Sequence, residues 1–179
     1  MRMQIKSHTT INAPATAVWR VIAHQFAAIG EWASSIPTSY AAPEALPPVG
    51  ADVGARVCAT GVRGFKDIRE QFTSYDEEAM RFTYEATAGL TWIVRHAENT
   101  WQVRPLDESQ CQVEAQAVVD LRTVPGLLLA PLLKLQMNRL GRQTAEELKY
   151  YVEQGQPHPR KMRHGSANRP ESSVGAGGL

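Results

Sequence analysis

Four side chains in the middle of this 179-residue chain are of the types that carbonyl chemistry needs: Arg56, Glu70, Tyr84 and Arg95. A carboxylate can take a proton from an acidic carbon, and a phenol or guanidinium can donate hydrogen bonds to the enolate oxygen that forms. Each lies in a segment that alternates polar and apolar residues, so whether they meet depends on strand register. Side chains alternate along a strand, and residues paired across a hairpin point to the same face. Ile68 and Phe72 mark one face of their segment, and Glu70 shares it. A tight turn centred near Arg63 sets Arg56 opposite Glu70. A turn on Glu77 sets Glu70 opposite Tyr84 and Phe72 opposite Phe82, and a turn at Gly89-Leu90 sets Tyr84 opposite Arg95. The expected result is a polar row, Arg56–Glu70–Tyr84–Arg95, on the face shared with Phe72, Phe82 and Trp101. Cys58 joins that face by alternation from Arg56.

Such a row has two readings. If its face lines a cavity, bare charge there is costly, so Arg56 and Glu70 should pair directly. As a site, the row grips a carbonyl, phenol or carboxylate, with Glu70, Tyr84 and Arg95 as the candidate catalytic residues. As framework, the Arg56–Glu70 pair steadies neighbouring strands and does nothing more, as opposed cross-strand charges commonly do. Arg56 also makes Glu70 a weaker base than a lone buried carboxylate. A positioning role for the pair is therefore equally tenable.

Other chemistries find less support. The histidines are His8, His24, His96, His158 and His164, and no two have metal-ligand spacing on one helix, so no metal is expected. His96 alternates with Arg95 and should face away from the row. His24 ends a helical segment, where a cation suits the dipole. The Gly-x-Ser-x-Gly nucleophile motif, phosphate loops and dinucleotide fingerprints are absent, and no cofactor is expected.

The elements that must position the row follow from periodicity. Met3, Ile5, Ser7, Thr9 and Ile11 alternate, giving a strand over 2–12. Asn12 and Pro14 then open a helix over 14–25, followed by a short helix over 26–32. A weak strand lies at 38–42. A meander follows, with strands expected at 54–61, 65–76, 79–87, 92–104 and 110–121, parted by turn residues such as Val62-Arg63-Gly64. From Leu133 to Val152, the residues Leu133, Met137, Leu140, Thr144, Leu148 and Tyr151 share one helical face, opposite Arg139, Arg142, Glu146 and Lys149. Pro131 should place the start of this helix near itself. One long amphipathic helix after a run of strands needs a sheet to lie on, which makes an α+β fold. After Gly155 the chain is rich in Gly, Ser, Pro and basic residues, so residues 155–179 are expected to be a disordered, solvated tail.

Apolar residues make up 43% of the chain, enough for a core, and the net charge of +1 argues against nucleic acid as a partner. The longest apolar run, Leu127 to Leu133, is far short of the roughly 20 residues of a membrane span. Two scattered cysteines, Cys58 and Cys111, and no signal-peptide pattern fit a cytoplasmic protein.

Three stretches resemble a known superfamily. They are Ile11-Asn12-Ala13-Pro14-Ala15 with Val18-Trp19 and Trp32; Val53-Gly54-Ala55-Arg56 with Arg69 to Asp76 and Phe82-Thr83-Tyr84; and Ala145 to Glu153. In these the chain is similar to the START / birch-pollen-allergen superfamily, and within it to the bacterial polyketide cyclase/dehydrase-like group. The resemblance implies a helix-grip fold over residues 1–154. This is a curved antiparallel sheet of about seven strands, in the order β-α-α-β6-α, wrapped around the long C-terminal helix. It also implies a hydrophobic cavity between sheet and helix, roofed by Met137, Leu140 and Gly141, with Trp32, Ile36 and Tyr40 at the mouth. Arg56, Cys58, Phe72, Phe82 and Trp101 would line it. The partner expected is a small hydrophobic ligand, bound by a monomer or homodimer. A cofactor-independent cyclase or dehydratase acting on a polyketide-like or aromatic compound is the first expectation. A non-catalytic carrier or sensor of a lipid-like ligand is the second, and an apolar face that joins a partner chain is the third.

Overall fold

Strands whose side chains alternate in polarity need one covered face, and the chain provides a sheet and then a cover. A computed structural model describes residues 1–59 and 66–167, with side chains from 1–59, 66–122 and 130–163. Among the described residues the strands are β1 (Arg2–Ile11), β2 (Ser39–Ala41), β3 (Ala55–Cys58), β4 (Ile68–Asp76), β5 (Arg81–Ala88), β6 (Val94–Pro105) and β7 (Cys111–Leu121). They form one curved antiparallel sheet in the order β1-β7-β6-β5-β4-β3-β2. The turn expected at Val62-Arg63-Gly64 lies outside the described residues.

Between β1 and β2 the chain forms α1 (Ala15–Trp19), a π-helical turn over Arg20–His24, a 3-10 turn over Phe26–Ala28, and α2 (Ile29–Trp32). The apolar sides of these pieces, including Val18, Trp19, Phe26 and Trp32, pack with Phe82, Val103 and Leu148 into the larger core cluster. A smaller cluster joins Met3, Val119 and Leu121 of the sheet to Ala130, Leu133 and Met137.

Those last three residues belong to α3 (Thr123–Gln154), which spans 32 residues. At 1.5 Å per residue it is about 48 Å long, and it lies over β1 and β7. Its start corrects the expectation set by Pro131, which sits inside the helix. Proline removes one helical N–H and disfavours a helix interior. Here Ala130, Leu133 and Met137 pack on the sheet on both sides of the proline, and that contact outweighs local propensity. The helix stops at Gly155, whose φ of 67° lets its N–H reach back to the Tyr151 carbonyl at 2.9 Å.

The region after Gly155 also departs from expectation. Pro159–Ala167 forms a further helix, α4. Composition counts the apolar surface a segment can bury, but this one is held by charge-assisted hydrogen bonds. Arg160 reaches Glu146 at 2.8 Å and Glu147 at 3.0 Å, and Lys161 Nζ donates to the carbonyls of Ile36 and Pro37 at 2.7 and 3.1 Å. The His158 ring meets Tyr150 edge-on, with centroids 5.0 Å apart. Residues 168–179 lie outside the described residues.

Candidate functional site

Strand pairing sets Arg56 opposite Glu70, the first link of the expected row. The second link differs. Glu70 pairs with Ala86, and Tyr84 faces Phe72 rather than Glu70. The β4–β5 connection causes the shift, because it places Asp76 opposite Arg81, later than a turn on Glu77 would, and an irregularity in β4 between Phe72 and Ser74 takes back one residue of it. Glu70, Phe72 and Tyr84 still share a face, because Phe72 alternates in phase with Glu70. The same bulge turns Tyr75 inward opposite Phe82. The third link fails. The β5–β6 connection is longer than a tight turn, so Tyr84 pairs with Asn99 and Phe82 with Trp101. Arg95 lies at a register irregularity between Val94 and His96 and is exposed. It takes no part in the row.

Between the sheet and α3 is a cavity of about 390 Å³, lined mainly by apolar side chains. Ile5, Ala97, Trp101 and Val113 form its sheet wall, and Met137, Leu140, Gly141 and Leu148 its α3 wall. Ile29, Ala33, Ser35 and Ile36 close one side. Arg56, Cys58, Glu70, Tyr84 and Asn99 form its polar patch, and Ser7, Thr9 and Thr144 add hydroxyls.

The polar patch is tightly built. Arg56 Nε donates to Glu70 Oε2 at 2.6 Å, and its NH1 group donates to the Phe26 carbonyl at 2.8 Å. The guanidinium carbon stands 3.9 Å from the Phe26 ring centre and 4.9 Å from that of Tyr84. Burial, the largest single influence, weakens its hold on the proton, but the Glu70 charge, together with Tyr84, Cys58 and the hydrogen bond to Glu70, outweighs it, and the Arg56 pKa ends above its ordinary value. Burial first, then the Glu70 charge, raise the Tyr84 pKa, so the ring stays a neutral donor. Burial pushes the Cys58 thiol up to about 12, and Arg56 only partly offsets it. This thiol lies 3.6 Å from Glu70 Oε2 and is no nucleophile at neutral pH.

Several expected lining residues are elsewhere. Phe72 and Phe82 belong to an aromatic cluster with Phe26 and stand behind the cavity, with Phe26 and Phe72 centroids 4.1 Å apart. Trp32 is not at a mouth. It is 3% exposed and packs into the core, because α2 turns its apolar side to the sheet. Tyr40 is on β2 at the sheet edge and is exposed, whereas Ile36 does line the cavity. Gly141 is not forced by close packing, since a Cβ there would meet only Ser7 Oγ, at 3.9 Å. His96 points to the opposite face, near Glu85 and Glu98.

Two features were missed. Asn99 replaces Arg95 beside Tyr84, which only the true length of the β5–β6 connection reveals. Glu147 is 1% exposed on α3, and both its oxygens are used. Ser34 donates to it through its backbone N–H at 2.8 Å and its hydroxyl at 2.6 Å, and Arg160 at 3.0 Å. A signal existed, because Glu147 falls three residues after Thr144 and four before Tyr151, on the apolar stripe.

Among the described residues no group of three or more His, Cys, Asp or Glu side chains is placed to hold a metal ion. None of their helices is long and apolar enough to cross a membrane.

This geometry has relatives. Zhui aromatase/cyclase from Streptomyces sp. R1128 has a similar structure, with a TM-score of 0.69 at 16% identity, over 86% of this chain and 95% of that one. A START superfamily protein from Mycobacterium smegmatis gives 0.68 at 16% identity, over 84% and 97%. Norcoclaurine synthase from Thalictrum flavum, solved with dopamine and hydroxybenzaldehyde, gives 0.62 at 15%, over 88% and 90%. At such identities the likeness carries the fold alone, the helix-grip fold of the START / birch-pollen-allergen superfamily. No curated protein sequence matches the chain. The family described as "Polyketide cyclase / dehydrase and lipid transport" matches residues 2–153. A sheet gripping one long helix, with that match across nearly all of both, places this chain in the Polyketide cyclase / dehydrase and lipid transport family.

Proposed function

We propose that the protein binds a small hydrophobic, carbonyl-bearing or aromatic molecule of polyketide type and acts on it as a cofactor-independent cyclase or dehydratase. The cavity carries this reading, because it is mainly apolar and has one patch where a carboxylate and a phenol line the same space. Glu70 takes a proton from the carbon between two carbonyls, and the electron pair moves onto the adjacent oxygen, to which Tyr84 donates a hydrogen bond. The enolate carbon attacks a second carbonyl of the folded guest, forming a carbon–carbon bond. The new alkoxide then takes the proton back from Glu70. In a dehydration Glu70 next removes the remaining proton of the attacking carbon and delivers it to the departing hydroxyl, so that water leaves and a carbon–carbon double bond forms. Apolar walls contribute by holding the two reacting carbons close together. Arg95 has no role in this scheme. The unit that binds is residues 1–154, as a monomer or homodimer, and the two reduced, buried cysteines suit a cytoplasmic setting.

One observation favours a second reading, a carrier or sensor without turnover. Arg56 holds Glu70 at 2.6 Å, which fixes the carboxylate in place and suits a binding group. Native mass spectrometry of the protein from its own host, followed by assay of any co-purified compound, tests both. The enzyme reading expects Tyr84→Phe to keep binding and lose turnover by about 10²-fold or more. Unchanged turnover would overturn the role of Tyr84. A bound compound that is never converted would favour the carrier.

A further inference from the structure

A row of this kind, read from sequence, grips a carbonyl, a phenol or a carboxylate equally well. The geometry separates the three. Two ionised groups stand at the patch, and they are not equally available to a guest. Arg56 is 4% exposed at its side chain and Glu70 15%. The guanidinium gives its Nε to Glu70 and its NH1 group to the Phe26 carbonyl, and the Phe26 and Tyr84 rings lie against it. Glu70 is different. Its contacts with Arg56 and Cys58 both end on Oε2, which leaves Oε1 without a partner among the described residues. A guest therefore meets the acceptor more readily than the cation, whose charge is already paired with Glu70. The other ionisable lining groups do not reverse this. Tyr84 and Cys58 are held neutral, and His8 lies on β1, four strands across the sheet from β4.

We infer that the cavity selects uncharged guests that carry a hydroxyl group directed at Glu70 Oε1, and that it rejects carboxylates. The inference rests on the cavity being the binding site proposed above, and it narrows the substrate class of that site. A neutral hydroxyl replaces the water that Oε1 loses when the guest enters. An arene without the hydroxyl leaves that oxygen desolvated and unpaired. A carboxylate brings a second negative charge to the same oxygen, and the partner that could neutralise it is already committed. Free fatty acids are thus the wrong kind of guest, and phenols or alcohols beside a ring system are the right kind.

Three matched two-ring probes test this: 2-naphthol, naphthalene and 2-naphthoate. Each competes at pH 7.5 with the neutral reporter N-phenyl-1-naphthylamine, using the full-length protein. Naphthol should bind about tenfold or more tighter than naphthalene, and naphthoate should be the weakest. Glu70→Gln should narrow the gap between naphthol and naphthoate by about tenfold or more, because the charge is gone. If that variant does not fold, the ranking in the unaltered protein decides alone. Naphthoate binding as tightly as naphthol overturns the inference while the cavity reading stands. Refusal of the reporter and all three probes overturns the cavity reading, and this inference with it.

Discussion

Arg56 is the residue on which the polar patch depends, and its neighbours fix what losing it should do. A buried charge that loses its partner leaves the other bare, which costs about 3–5 kcal/mol. Arg56→Met should destabilise the fold by that amount in urea unfolding. Replacing Arg56 and Glu70 together by Met should restore most of it, since a well-packed apolar pair has no charge to desolvate. If the double variant were as unstable as the single one, the loss would lie in packing against Phe26 and Tyr84 rather than in charge. Glu77 shows the opposite case, a carboxylate near the surface. Burial pushes its pKa up, but hydrogen bonds from Tyr75 and His24, at 2.7 and 2.9 Å, together with the nearby Trp19 N–H and the His24 charge, outweigh that and hold it below the ordinary value of 4.5. A carboxyl held low in the folded state adds stability above its unfolded pKa, and the gain is lost as pH falls through the folded pKa. Glu77→Gln should therefore be less stable than the parent at neutral pH, and the difference should shrink as pH falls below 4.5, which acid unfolding curves of the two proteins would show.

At the scale of elements, α3 offers a test of the cavity. Gly141 faces it with open space where a side chain would go. Gly141→Ala should stabilise the helix by about 0.8–1 kcal/mol and leave probe binding intact. Gly141→Phe should occupy the cavity and abolish reporter binding while keeping the fold, as read by circular dichroism. Elements were also the scale at which the sequence was most legible. Alternation located the strands, and the 3.6-residue stripe from Leu133 to Tyr151 located the cover. Register was legible only where a hairpin was regular. Arg56–Glu70 came out correctly, but a wider β4–β5 connection, only partly offset by the bulge near Thr73, moved Tyr84 off Glu70, and a longer β5–β6 connection moved Arg95 to the surface. Bulges and connection lengths are set by how the sheet twists and curves, and alternation carries no record of that. Trp32 failed for a related reason. Its place relative to the cavity depends on how α2 is rotated, and a helix of four residues has too little periodicity to show it.

At the scale of the whole molecule, the family match ends at residue 153, yet the folded structure continues into α4. Among its partners is Glu147, which is almost wholly buried and draws one of its three hydrogen bonds from Arg160. The same short helix anchors Lys161 to the carbonyls of Ile36 and Pro37, beside the cavity wall. A chain cut after residue 153 should lose about 1.5–3 kcal/mol from the Arg160 contact alone, visible as a lower urea midpoint. Unchanged stability would mean that Ser34 suffices for Glu147. Anyone trimming this protein to its recognised domain for expression or crystallisation would thus remove the counter-ion of an interior acid and unfasten one side of the chamber. Binding constants measured on that shortened version would describe a leakier vessel than the natural one.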